Sequence, residues 1–231
     1  MKFKNFALMA FGLILGAMPL QSCLDDDDDK GVYMSGLVTV YPEADGSFIM
    51  HLDNNTALRP VNVEKSPFGN KEVRALVTFN DLVEGQTKGT MRDVQVYTLD
   101  SIRTKLPKLT AGEANDSVFG KDPFEIANSW LTVAEDGYFT AQIMTYWSSP
   151  VRGHEFNLVS GVNPENPLEF ELRHNAHGDY GNRMESGLIA FNLKELVKDM
   201  TLPVKIKINW TSFSGPKSAE FELDCFKGVT E

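Results

Sequence analysis

The sequence predicts an all-β protein, a small five-stranded barrel followed by a β-sandwich, and three observations carry that expectation. Apolar and polar residues alternate with period two through almost every segment from Gly31 onward, the pattern of strands that bury one face. Clusters of Gly, Pro, Asn and Asp interrupt the alternation at short intervals, as hairpin turns do. The alternation is lost over 107–122, a stretch with Pro, Gly, Asn and Asp that separates roughly five strands from roughly seven. The expected organisation is a leader over 1–22, a tether over 23–30, a barrel over 31–110 and a sandwich over 111–231.

The first strand is expected over 36–41, stopped by Pro42 and a turn over 43–46. The chain returns over 47–53 with Phe48, Met50 and Leu52 on one face, then turns at Asn54-Asn55. A third strand over 57–63 carries Pro60, which has no N–H for a ladder and therefore points to a sheet edge. After the turn cluster Ser66-Pro67-Phe68-Gly69-Asn70, a fourth strand over 72–79 sets Val73, Ala75, Val77 and Phe79 on one side. A polar loop over 80–89 leads to a long fifth strand over 90–106. A short meander of this kind closes into a barrel more readily than it lies flat.

In the second half, strands are expected over 126–133, which carries Trp130, and over 138–147, with Phe139, Ala141, Ile143 and Trp147 on one face. Another follows over 155–160. Leu168, Phe170 and Leu172 then alternate with Glu169, Glu171 and Arg173, and 186–191 repeats the pattern. The segment 192–200 is the one helical candidate, with Leu193, Leu196 and Val197 at helical spacing and Asn192 as cap. Pro203 opens a strand over 204–210, and Phe221, Leu223 and Cys225 alternate inward in the last one. Trp130 and Trp147 are expected to fill the sandwich core, since large aromatics dominate burial. A sugar-stacking platform made by Trp130, Tyr146 and Trp147 is the alternative.

The amino terminus reads as an address. Lys2 and Lys4 precede an apolar run over 6–15, and Gly16-Ala17-Met18-Pro19 breaks it, the three-part grammar of a secretory signal. A spanning helix would need about 20 apolar residues, and Pro19, Gln21 and Ser22 spoil the distal part. Leu20-Gln21-Ser22-Cys23 fits a lipoprotein cleavage site, so Cys23 is expected to become the acylated first residue of the mature chain. Two or three acyl chains (palmitate among them) anchor stably where one binds marginally. The run Asp25, Asp26, Asp27, Asp28 and Asp29 must stay solvated and serves as a spacer. It is also similar to the surface-export signal of lipoproteins in Gram-negative gut anaerobes. That resemblance implies an outer-membrane location, exposed at the cell surface.

Composition narrows the chemistry. Of 22 basic residues the leader takes Lys2 and Lys4, so the mature chain keeps 20 against 32 acidic ones, a net charge of −12. Nucleic acid requires basic surface to displace counterions and is therefore excluded as a partner. With Cys23 acylated, Cys225 has no intramolecular partner and is expected as a buried apolar thiol. No catalytic residue stands out: Gly-x-Ser-x-Gly and the glycine-rich phosphate loops are missing, and no two of the carboxylates are singled out. No cofactor is expected. His174, His177 and Asp179 are weak metal candidates, because histidines three apart on a strand point to opposite faces. The stretch Asn175-Ala176-His177-Gly178-Asp179 reads better as a hairpin loop, with Asn175 and Gly178 at positive φ and Asp179 closing an Asx-turn. His51 is expected at the surface or an edge, and His154 in a loop.

The cleavage-site cysteine, the acidic run, the two β modules and the stretch Leu172-Arg173-His174-Asn175 with Gly178-Asp179 resemble the NigD-like lipoproteins. The resemblance implies an OB-like barrel ahead of the sandwich and no catalytic residues. An OB-like barrel would bind along its second and third strands, here 47–63 with His51, Asn54, Asn55 and Arg59. The expected function is a non-enzymatic, lipid-anchored envelope protein that binds a glycan, peptide or protein. The alternatives are bacteriocin immunity or envelope protection, suggested by the operon context that names the family, and a glycan-processing accessory or weak hydrolase.

Overall fold

The computed structural model describes residues 33–82, 91–148 and 153–228. The leader, Cys23 and the acidic run Asp25 to Asp29 lie outside these residues. Among the described residues no helix is long and apolar enough to cross a membrane.

Five strands close the barrel: β1 (Met34–Pro42), β2 (Phe48–His51), β3 (Ala57–Pro60), β4 (Val73–Asp81) and β5 (Met91–Ser101), in the order β1-β2-β3-β5-β4. Alternation supplies the interior, where Val38, Val40, Phe48, Met50, Leu58, Ala75, Val77 and Phe79 pack together. Because the barrel closes, Pro60 is at no edge. It ends β3 opposite Val94, and Val61 resumes bonding by donating to the Val94 carbonyl at 3.0 Å. The expected long fifth strand stops at Ser101. Its tail forms two short strands, β6 (Thr104–Lys105) and β7 (Lys108–Leu109), each joining a different sheet of the sandwich.

The sandwich has ten strands among the described residues, counting these short ones. One sheet runs β6-β13-β10-β8, with β8 (Glu125–Ile126), β10 (Tyr138–Trp147), β13 (Arg183–Asn192) and β9 (Val133–Glu135) paired to β10. The other runs β15-β14-β12-β11-β7, with β11 (Glu155–Ser160), β12 (Glu169–Asn175), β14 (Val204–Ser212) and β15 (Gly215–Leu223). Phe124, Phe139, Phe156, Phe170, Phe191 and Leu172 fill the space between the sheets. A short helix α1 (Asn115–Phe119) occupies the expected boundary, and the helix expected over 192–200 is one turn, α2 (Lys194–Val197).

Several side chains depart from expectation. Residues 127–132 form turns and bends instead of a strand, with Thr132 donating to the Ala127 carbonyl at 2.7 Å, and Trp130 is 58% exposed. Trp147 is half-buried at the end of β10 and stacks on His154 rather than joining the core. Cys225 lies beyond the end of β15 and is half-buried, and burial pushes its thiol pKa up.

The modules meet across an apolar contact of Leu37, Ile102, Tyr138 and Ala190 and a polar network beside it. Arg74 of β4 is buried there, donating to Thr39 and Thr140 at 3.2 Å and pairing with Glu135. Tyr138 donates to Glu72 at 2.5 Å, and Lys194 reaches both Glu72 and Tyr41.

Candidate functional site

The OB-type face expected to bind a ligand is already in use. The carboxy-terminal tail beyond β15 lies against it: Asn54 donates to the Asp224 carboxylate at 3.1 Å, and Lys227 N–H donates to the Asn54 carbonyl at 2.8 Å. His51, expected at the surface or an edge, is enclosed between Tyr41 and Phe226, with ring centroids 4.1 and 3.6 Å away. Its Nδ1 lies 3.3 Å from Asp136, which also accepts from Tyr41 OH at 2.9 Å and from the Phe226 N–H at 3.2 Å. Burial opposes ionisation of Asp136, but hydrogen bonding from His51 and the charge of Lys194 outweigh it, and its pKa falls. Asn55 and Arg59 remain exposed, and Arg59 is forked onto Asp93. The second and third strands therefore serve chiefly as an intramolecular joint.

A cleft of about 460 Å³ opens on the sandwich. It arises from a split between parallel neighbours. β12 and β14 stay in register as far as Leu172 opposite Trp210. Beyond that point the segment 122–124 wedges between them: Asp122 N–H donates to the His174 carbonyl at 2.9 Å, and Phe124 N–H to the Thr211 carbonyl at 3.1 Å. Asp122 also accepts from the Ala176 N–H at 2.8 Å. Gly120 makes this wedge possible, because at φ 75°, ψ 173° a Cβ would sit 2.4 Å from the His174 carbonyl oxygen. Phe124 and Leu172 form the apolar floor, and Arg173, Lys121, Glu171 and Lys217 stand on the walls.

Each wall cation has a carboxylate partner. Arg173 binds Asp116 at 2.8 Å and Glu171 at 2.6 Å, Lys121 pairs with Asp116, and Lys217 meets Glu125 at 2.9 Å. Lys121 and then Arg173 hold the Asp116 carboxyl below the usual carboxylate range. The cleft thus offers polar groups in balanced pairs over an apolar base, the lining of a recognition site.

Behind the floor lies a buried histidine pair. His154 Nδ1 and His174 Nε2 are 2.8 Å apart, so one ring donates and the other accepts. His154 Nε2 is 3.6 Å from Asp179, whose carboxylate accepts from the Ser148 N–H at 2.9 Å. Trp147 covers His154 and Phe156 covers His174, the latter rings parallel within 2° at 4.3 Å. Burial, and secondarily His154, lower the His174 pKa to about 4, and burial lowers that of His154 as well. Neither imidazole carries charge at neutral pH. Among the described residues no Ser or Cys is bonded to either imidazole, so no nucleophile and base pair is assembled from them.

The metal candidates do not converge. His174 is 1% exposed inside, whereas His177 stands on the turn beside Glu155. No group of three or more metal-ligating side chains occurs among the described residues. The turn itself is a loop as expected, though its parts are assigned differently. His177 and Gly178 take positive φ, of 49° and 77°, and Asn175 makes the Asx-turn by accepting from the His177 N–H at 2.9 Å. Asp179 instead braces Ser148 and His154. Sequence reasoning missed the His154–His174 pairing, because the two residues meet only through adjacent strands.

A family described as the NigD-like N-terminal OB domain matches residues 37–102, and the NigD-like C-terminal beta sandwich domain matches residues 107–223. Among solved structures, a Parabacteroides distasonis protein provisionally called toxin related is 28% identical with a TM-score of 0.69, over 84% of this chain and 94% of that one. A NigD-like immunity protein from Bacteroides caccae is 20% identical with a TM-score of 0.59, over 83% and 98%. A Bacteroides fragilis protein provisionally called a lipoprotein is 16% identical with a TM-score of 0.58, over the same shares. The last two likenesses concern the fold. No curated protein matches the sequence.

Proposed function

Because this chain belongs to the NigD-like family, we propose that it is a lipid-anchored envelope protein of the binding or accessory type, and that the sandwich cleft receives its partner. Acyl chains on Cys23 hold it to the outer membrane, and Asp25 to Asp29 carry it to the cell surface. The observation behind the binding role is the split between β12 and β14, which opens a lined cleft backed by neutral, paired histidines that bond no nucleophile among the described residues. Such a site recognises its partner and leaves it chemically unchanged. The name given to the Bacteroides caccae relative favours a second reading, immunity or envelope protection, in which the occupant is a protein toxin.

Two measurements test the proposal. Mass spectrometry of the mature protein should find Cys23 first and acylated, and Cys23→Ala should leave a folded, unanchored protein. A photo-crosslinking residue at Ser218, on the rim of the cleft, should capture a specific partner on intact cells, and Arg173→Ala with Lys217→Ala should abolish capture. An intact leader defeats the anchoring. Capture that survives the double substitution moves recognition away from the cleft.

A further inference from the structure

The barrel carries a second surface, remote in sequence from the sandwich cleft and next to the tether. β1, β4 and β5 are adjacent strands, and a group of their outward residues is uncharged: Ser35, Thr78, Asn80, Gln95 and Tyr97, with Tyr33 just before β1 and the exposed Asp100 of β5 at the border. Ser35 lies opposite Thr78, and Asn80 opposite Gln95. Two of the acids beside it are paired, Asp81 with Arg92 and Asp93 with Arg59.

The face has an aromatic centre. Tyr33 and Tyr97 meet edge to face with centroids 4.7 Å apart, and they are 58% and 44% exposed. Asn80 donates to the Tyr97 hydroxyl at 3.3 Å, which holds the ring in place. Leu82, opposite Asp93 at the end of β4, adds exposed apolar surface. Tyrosines with apolar rings and wet hydroxyls suit a membrane–water boundary.

We propose that this face rests on the bilayer surface and fixes the orientation of the tethered protein. The inference depends on acylation of Cys23. Tyr33 is ten positions after Cys23, a reach of at most about 36 Å, so the anchor keeps this face within one small-domain diameter of the headgroups. Neutral or zwitterionic headgroups fit best, because the acidic run Asp25 to Asp29 is repelled by anionic lipid. Resting on the barrel turns a different part of the molecule, the sandwich, toward other partners.

The test uses the acylated protein in phosphatidylcholine vesicles, with and without brominated acyl chains, and Tyr97→Trp as reporter. Flotation is measured in parallel. The expected result is flotation together with fractional quenching of the added tryptophan at least about two-fold that of the parent's three native ones. Tyr33→Ser with Tyr97→Ser should float equally well yet show faster amide exchange along β4 and β5 on vesicles. Flotation without extra quenching overturns the docking and leaves the anchor standing. Failure to float removes the anchor and the docking with it. An unquenched protein that forms a dimer split by Tyr97→Asp would assign the face to a second copy instead.

Discussion

His174 shows how one residue can set a pH limit on the fold. Its folded pKa, about 4, lies below the ordinary histidine value of 6.5, so between these values the unfolded chain binds the proton that the folded chain refuses. Stability from this group is therefore complete above pH 6.5 and is lost as pH falls toward 4, by on the order of 3 kcal/mol. Urea midpoints measured across that window should fall with pH, and His174→Phe should flatten the slope. An equally steep slope in the variant would assign the dependence to other groups. Gly120 acts through the backbone. Its φ and ψ are open essentially to glycine alone, and an added Cβ would collide with the His174 carbonyl. Gly120→Ala should cost about 2 kcal/mol or more and loosen the wedge at 122–124. An unchanged thermal midpoint would show that the wedge has other support.

Among the elements, those with a continuous period-two pattern were legible from sequence and the others were not. β1, β4, β10, β11 and β14 lie close to their expected positions, because each sends alternate apolar residues into a core. β6 and β7 are two residues each, too short to show any period, so their entry into the sandwich sheets was invisible. Residues 127–132 look apolar enough for a strand, yet hydroxyls of Ser129 and Thr132 satisfy the local backbone and turn Trp130 outward. Of the cleft, the Arg173-His174-Asn175 stretch drew notice, but its brace to Asp116 spans 57 residues and no local signal reports it. The tail carried no signal either, and it decides what the barrel can bind. Phe226→Ala should remove one stacking wall of His51, costing about 1 kcal/mol and speeding amide exchange in β2. Unaltered exchange there would mean that Asn54 and Lys227 hold the tail unaided.

At the scale of the molecule, the barrel and the sandwich are joined through a buried charge, which makes their stabilities inseparable. The Arg74 side chain is 1% exposed, and its partner Glu135 comes from the other module. Burial raises the Glu135 pKa, and Arg74 is the main opposing influence. Removing Arg74 alone leaves the carboxylate and the hydroxyls of Thr39 and Thr140 without their donor, so Arg74→Ala should cost about 3–5 kcal/mol. Replacing both partners, as Arg74→Met with Glu135→Leu, removes the uncompensated charge and should recover most of that loss. The comparison is made by urea unfolding followed with two probes, native tryptophan emission for the sandwich and amide exchange for the barrel. In the parent the two transitions should coincide, because the apolar contact around Leu37 and Tyr138 is shared. In Arg74→Ala they should move together to lower urea. Separate transitions in the parent would mean that the modules fold independently and that the joint only orients them.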